Sequence, residues 1–309
     1  MAETTEKLRI VKRKHVDRLL NWPNVTAVDI NYKTVRAQKT NDLCLVIWVR
    51  EKKPESEIPA GKILPKEIDG FAVDVFEGEI KLGEGFSWPA TLSQTTEQSP
   101  RELTAEEVVK LRPLDTLRGG DSLGPMTFDG AGTLGYFVKQ GETVGILSNA
   151  HVVQSVGTQL ISPAIPDGGT ADDYIGTVEK VVLTTAVDCG HAPLRSNIDK
   201  FLLQDGTSVT GTEKAAVGTK IKFYGRTSGL VNQGEVSSVD WSGTVSDRRV
   251  ENQILFSASS VGGGNSGSLL INRENNKAIG LYFADNRTNS GLANHIGDVL
   301  NALDVEIAI

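Results

Sequence analysis

Three residues of this 309-residue chain are of the types that nucleophilic hydrolysis needs, and each sits in a local setting that suits it. Ser266 lies in Val261-Gly-Gly-Gly-Asn-Ser-Gly-Ser268, and the apolar run Leu269-Leu270-Ile271 leads away from it. Glycines on both sides allow positive φ and the close approach of a carbonyl group. A turn of that kind also aims successive N–H groups outward, where they can hold an oxyanion. His151 follows a strand-like run and a small-residue turn in Leu147-Ser-Asn-Ala-His151-Val-Val153, and Asp188 interrupts the apolar stretch Thr185-Ala-Val-Asp188-Cys-Gly-His191. A serine hydroxyl becomes a nucleophile when a neutral imidazole takes its proton, and a carboxylate fixes that imidazole's tautomer. Taken singly, each residue has a plainer meaning: a flexible Gly/Ser loop, a surface or core histidine, a hydrogen-bonded aspartate at a strand edge. Three of them in the order His, Asp, Ser, one of the orders known for this chemistry, weigh against chance.

Other chemistries fit less well. Gly262-x-Gly264-x-x-Gly267 matches a dinucleotide fingerprint in letters, but a helix must open after it and Ser268–Ile271 reads as strand. The order Ser266, Asp285, His295 would suit an α/β-hydrolase, yet no crossover helix follows the serine. Cys189 with His191 could form a thiol site, but neighbours on a strand point to opposite faces, and a buried small residue is the better reading. Four histidines without i, i+4 spacing and no CxxC give no metal site. Asp167-Gly-Gly-Thr-Ala-Asp172-Asp173 reads as an acidic turn. No cofactor is expected.

These residues need a scaffold, and composition bounds it. The length allows two domains. A net charge of −7 offers no basic footprint for nucleic acid. No apolar run is long enough for a membrane span, and the charged N-terminus lacks the core of a signal peptide. Cys44 and Cys189, the only two cysteines, suggest a reducing cytoplasm rather than a disulfide framework.

Apolar spacing predicts a helix over Thr5–Leu20 that stops before Asn21-Trp22-Pro23, with Lys7, Arg9, Lys12, Arg13, Lys14 and Arg18 on a solvated face. Strands are predicted at Val25–Tyr32 and Leu43–Arg50, around a polar turn, and again at Gly70–Phe76. These make a small α+β module over residues 1–82. Residues 83–125 read as a surface linker with one helical patch at Thr104–Leu111. From Gly130 onward short β segments are punctuated by glycine: Gly132–Val138, Thr143–Ser148, Gly157–Ser162, Ile175–Leu183, Lys220–Tyr224, Gly234–Trp241, Gln253–Ser257, Ser268–Asn272 and Ala278–Phe283. That spacing predicts a mainly β antiparallel barrel or sandwich over residues 126–309, ending in a helix at Ile296–Leu303.

The segments "SNAHVV", "VDCGHA" and "GGNSGSLL" resemble the trypsin-like, chymotrypsin-fold serine peptidases. With "GTLGYFV", "PDGGTADDYIGTV", "GRTSGLVNQGEV", "AIGLYFADN" and "GLANHIGDVLNAL", the set is similar to intracellular bacterial members that carry an extra N-terminal module, and more distantly to plant proteins of the narrow-leaf type. The resemblance spans residues 126–309 and, more loosely, 22–80. It implies a chymotrypsin-like double antiparallel β-barrel, with barrel one at about 126–205 and barrel two at about 206–309. His151 and Asp188 would come from the first barrel and Ser266 from the second. The amides of Gly264 and Ser266 would form the oxyanion hole. Phe283 and its neighbours would line the edge taken by the substrate strand, and Ser260 would floor the pocket for the residue before the scissile bond.

Two departures from the digestive members matter. Where they have an aspartate before the nucleophile, neutralised by a freed N-terminal ammonium, this chain has Asn265, so the intact chain is expected to be active without N-terminal clipping. Ser260 is uncharged, which gives no support to a demand for Lys or Arg, and Tyr282 stands where glutamyl endopeptidases present a histidine. The expected activity is that of a serine endopeptidase acting on peptide or protein substrates, without nucleic acid or membrane as partner. The alternative is a catalytically silent scaffold used for binding or assembly. The N-terminal module is open to three roles: gating the cleft, homo-oligomerisation, or removal by self-cleavage.

Overall fold

The computed structural model describes residues 2–36, 38–59, 61–83, 87–89, 111–127 and 129–309. Its second barrel is a closed ring. Strands Lys220–Gly225, Leu269–Asn272, Ala278–Asp285, Ser290–His295, Arg248–Ala258 and Gly229–Val245 pair in that order, and the first pairs again with the last. Every pairing in the ring is antiparallel. Ile221, Phe223, Phe256, Leu270, Ile279 and Tyr282 fill its interior. Barrel one is made of two sheets. Tyr174–Thr177, Gln159–Ile161, Ser122–Pro125 and Gly132–Thr133 form one; Lys180–Leu183, Asp188–Pro193, Thr143–Ser148, Tyr136–Gln140 and Glu306–Ile307 form the other. The C-terminal helix Ile296–Leu303, where expected, buries Ile296, Val299 and Leu303 in the core of barrel one.

The N-terminal helix Ala2–Leu20 packs Leu8, Val11, Val16 and Leu19 on Val28, Ile30, Leu45 and Ile47 of the hairpin Val25–Val35/Gln38–Val49. That hairpin runs further into the predicted polar turn than alternation suggested, because Thr34 pairs with Lys39 and gives its N–H to Asp74 at 2.8 Å. The module continues the sheet of barrel two. Ala27 and Val28 pair with Gly243 and Ser242 on the long strand Gly229–Val245, giving a ten-stranded sheet. Gly243 is required there, since a Cβ on it would lie 2.6 Å from the Ala27 Cβ.

The basic helix face is solvated only in part. Lys12 is 4% exposed, its ammonium bonded to the Asp240 carbonyl and to Ser242 Oγ, and burial pulls its pKa down to about 8. Arg9 grips the Asp240 carboxylate through Nε and a terminal nitrogen at 2.9 and 3.0 Å. Polar residues of the long strand thus face the module rather than water. For that reason the strand runs past the predicted end at Trp241 to Val245, and its partner begins at Arg248 rather than Gln253; before Gly234 the strand is lengthened by pairing with Lys220–Gly225.

Three further boundaries differ from the sequence reading. Ser122–Pro125, placed in the linker, is a strand of barrel one, and Leu114 and Leu117 before it are buried in that barrel's core. Ile175–Leu183 is two strands, because the Val178 N–H turns to the Thr158 carbonyl and the Glu179 N–H to the His191 carbonyl. Ser290–His295, missed as a strand, closes barrel two. The helical patch expected at Thr104–Leu111 lies, but for its last residue, outside the described residues.

Candidate active site

His151 and Asp188 come together. The strand Thr143–Ser148 ends at Asn149, and the short helix Ala150–Val153 begins, so His151 is carried on the first turn beyond the sheet. Asp188 starts the neighbouring strand Asp188–Pro193, which pairs with Thr143–Ser148. Asp188 Oδ2 lies 2.5 Å from His151 Nδ1, and Oδ1 accepts the His151 backbone N–H at 3.2 Å. Holding ring and backbone of one residue with a single carboxylate fixes the imidazole's orientation and requires Nδ1 to carry hydrogen. Both side chains are buried. Asn149 donates to the Asp188 carbonyl at 2.8 Å, and Asn294 of barrel two accepts the Asp188 N–H at 3.0 Å. Asn294 is in turn bonded to Gln253 Oε1 at 2.7 Å, so the acid is tied into the second barrel as well.

Ser266 sits where the barrels meet. Its carbonyl accepts the Thr133 N–H from barlel one's short strand at 2.8 Å, and its hydroxyl points to the Phe283 carbonyl at 3.2 Å. The Phe283 backbone therefore lies beside the nucleophile, on the strand Ala278–Asp285. The turn spends its amides selectively. Those of Asn265, Gly267 and Ser268 donate to Gly262, Tyr282 and Asn265 carbonyls. The amides of Gly264 and Ser266 have no partner among the described residues. Gly264 has φ +92°, and a Cβ there would lie 2.3 Å from Thr227 Oγ1, so no other residue fits without strain.

The motif read only as family likeness, Gly225-Arg-Thr-Ser-Gly229, braces this turn. Thr227 Oγ1 donates to the Gly263 carbonyl at 2.8 Å, which turns the following peptide's N–H, that of Gly264, the opposite way. Thr133 Oγ1 holds the Gly264 carbonyl at 2.8 Å. Ser228 donates both its N–H, at 3.2 Å, and its hydroxyl, at 3.1 Å, to Asn265 Oδ1. The amide before the serine is thus held by donors from the Gly225–Gly229 motif. Arg226 pairs with Asp167 of barrel one, with Nε–Oδ2 at 2.5 Å, and holds that carboxyl below its usual range. Removing the Ser228 hydroxyl should leave Asn265 with one donor of two. Ser228→Ala is expected to lower kcat about five- to tenfold with a smaller change in KM, from the loss of about 1 kcal/mol. Steady-state kinetics on a peptide substrate would check this, and an unchanged kcat would count against the brace.

Ser260 differs from its expected place. It is exposed, on the loop before the glycines, and is not a buried floor. The buried polar groups under that loop are the Tyr282 hydroxyl, which accepts the Gly262 N–H at 3.2 Å, and Asp285, which accepts the Tyr282 hydroxyl at 2.9 Å. Burial pushes the Asp285 carboxyl up, and burial with the adjacent Asp285 pushes the Tyr282 hydroxyl well above its ordinary value. Cys189 is buried and its thiol pushed far up by burial, which leaves it poorly suited to act as a nucleophile.

Trp88 was not expected here. Its ring stands edge-on to His151 with centroids 6.0 Å apart, lies 6.4 Å from the Phe283 ring, and takes the Arg248 guanidinium at 5.6 Å. The signal available in the sequence was a lone tryptophan in a stretch of Ser, Thr, Pro and Glu, a costly residue to leave in water.

Known proteins share this architecture. Thermobifida fusca Protease A superposes with a TM-score of 0.50 at 21% identity, over 62% of this chain and 97% of that one. A glutamic acid-specific serine protease, described as using a histidine triad in substrate binding, gives 0.51 at 19% identity, over 62% of this chain and all of that one. This is a chymotrypsin-like serine protease fold. A family model for peptidase S7, the flavivirus NS3 serine protease, matches residues 202–297, the segment that contains Ser266 but neither His151 nor Asp188. Among curated proteins no significant match to this sequence was found.

Proposed function

We propose that this chain is a serine endopeptidase in which Ser266, His151 and Asp188 act together through an acyl-enzyme. The reading rests on one observation above others: a buried imidazole gripped at Nδ1 by a buried carboxylate, on the barrel facing a serine turn with two uncommitted amides. Ser266 Oγ attacks the peptide carbonyl as its proton passes to His151 Nε2, the ring nitrogen that Asp188 does not hold. The carbonyl oxygen becomes an oxyanion and takes the N–H groups of Gly264 and Ser266. Collapse expels the amine, which leaves with the proton from Nε2, and the acyl group stays on Ser266. Water then attacks the ester, gives its proton to Nε2, and releases the acid, restoring the serine.

Peptide or protein chains in extended form are the proposed substrates, since the strand edge at Phe283 offers backbone groups for β-addition. Cytoplasm is the proposed location, because two buried free thiols suit a reducing compartment. Among the described residues no helix is long and apolar enough to cross a membrane.

A fluorophosphonate tests the activity directly, since only an activated serine displaces fluoride to form a phosphonyl ester. The labelled tryptic peptide is expected to contain Ser266. Label on another serine would move the nucleophile, and no label on the folded chain, with or without added peptide, would favour the silent scaffold.

A further inference from the structure

The strand Ala278–Asp285 has two different edges near the nucleophile. On one, Tyr282, Ala284 and Asp285 pair with Ala293, Leu292 and Gly291. On the other, pairing with Leu269–Asn272 ends at Leu281 and Leu269, and past that point the edge runs beside Ser266. An edge of this kind takes an extended peptide through its backbone groups.

That edge is occupied by the chain itself. Lys81 lies antiparallel to Asp285 and exchanges both backbone bonds with it: Lys81 N–H to Asp285 O and Asp285 N–H to Lys81 O, each at 3.0 Å. Ile80 and Leu82, on either side, are 1% and 3% exposed and share one apolar cluster with Phe283. The Leu82 N–H is held by Ser246 Oγ at 3.1 Å. Farther along, Trp88 Nε1 donates to the Val245 carbonyl at 3.0 Å and sets its ring against His151 and Phe283. Residues Ile80–Leu82 and Trp88 thus make the contacts that an extended peptide would make on this edge. The exclusion is stoichiometric: Asp285 has one N–H, and while Lys81 takes it no other strand can pair there in the same register.

We infer that this segment is an internal ligand of the cleft, a stretch of the chain's own backbone that competes with substrate for the edge at Asp285. The inference rests on the endopeptidase reading above. An intramolecular ligand acts at a fixed effective concentration, so the apparent affinity for substrate falls by the fraction of molecules in which the edge is open. Saturating substrate overcomes the competition, so the intact chain turns over with KM raised and kcat little changed. A segment with a merely structural role would not produce that split.

The test compares the wild-type chain with Trp88→Ala and Lys81→Pro, the second of which removes the N–H given to Asp285. Each variant is expected to lower KM for a short chromogenic peptide about 10- to 100-fold with kcat within about twofold, and to speed fluorophosphonate labelling of Ser266 by a similar factor. A variant that melts early is replaced by a measurement on the wild type. Hydrogen exchange at the Lys81 amide should rise, and Trp88 emission should change, when a peptidyl phosphonate fills the cleft. Wild type labelled as fast as both folded variants, or Trp88→Ala with a raised KM, would overturn the competition and leave the peptidase reading intact. No label on Ser266 in any form would remove both.

Discussion

Ser266→Ala is expected to abolish phosphonate labelling and to lower kcat on a peptide substrate by about five to six orders of magnitude. A residual acceleration of about 10³–10⁴ over water should survive, because the Gly264 and Ser266 amides and the binding edge do not depend on the hydroxyl. The variant should fold as the wild type does. Ser266 is 3% exposed, its only described side-chain bond is the 3.2 Å contact with the Phe283 carbonyl, and the backbone bonds that shape the turn, made by its neighbours and by its own carbonyl with the Thr133 N–H, are open to alanine as well. A loss of about 1 kcal/mol for that hydrogen bond is the upper range for stability. Activity and stability therefore separate in this variant. A melting temperature near the wild type with turnover gone is the expected pair, and turnover retained at even a tenth of the wild-type rate would place the nucleophile elsewhere. The peptide used should be short and assayed at several concentrations, so that competition from the segment around Lys81 is not read as lost chemistry.

The chemistry of the site was more legible in the sequence than its supports. Glycine at 264 and 267, both at positive φ, announces the turn because no other residue type fits those backbones cheaply. Alternation and glycine spacing gave the β class. What alternation could not show was where polar strand residues go. Ser238, Asp240 and Ser242 look like a strand turning outward to water. In the fold Ser238 bonds Asp29, and the other two receive Arg9 and Lys12 from the N-terminal helix. A strand flanked by a second module is patterned for that partner, and a single-domain template ends it too early. Thr227 and Ser228 were hidden for a related reason. Their role depends on a turn nearly forty residues later, and nothing in local periodicity reports a bond made at that distance. Trp88 was legible only as an anomaly, a large aromatic ring in a polar stretch with no visible core to enter.

Asp188→Asn should also cost orders of magnitude in turnover, though fewer than loss of the serine, and by a different route. In the wild type both carboxylate oxygens accept: Oδ2 from His151 Nδ1–H at 2.5 Å and Oδ1 from the His151 backbone N–H at 3.2 Å. Asparagine has one oxygen and one NH₂ group. If the oxygen keeps the backbone N–H, the amide nitrogen faces Nδ1 as a donor, and Nδ1 must then be the unprotonated nitrogen. The hydrogen moves to Nε2, which can no longer take the proton from Ser266. The side chain is isosteric and remains within the same frame of Asn149 and Asn294, whose bonds go to the backbone of residue 188 and survive the change. We therefore expect kcat to fall about 10⁴-fold with KM within a few fold, and phosphonate labelling of Ser266 to slow in parallel. An unaltered melting temperature would separate lost tautomer control from lost structure. A kcat within tenfold of wild type would mean that His151 is oriented by some group other than this carboxylate, and the proton path through it would have to be redrawn.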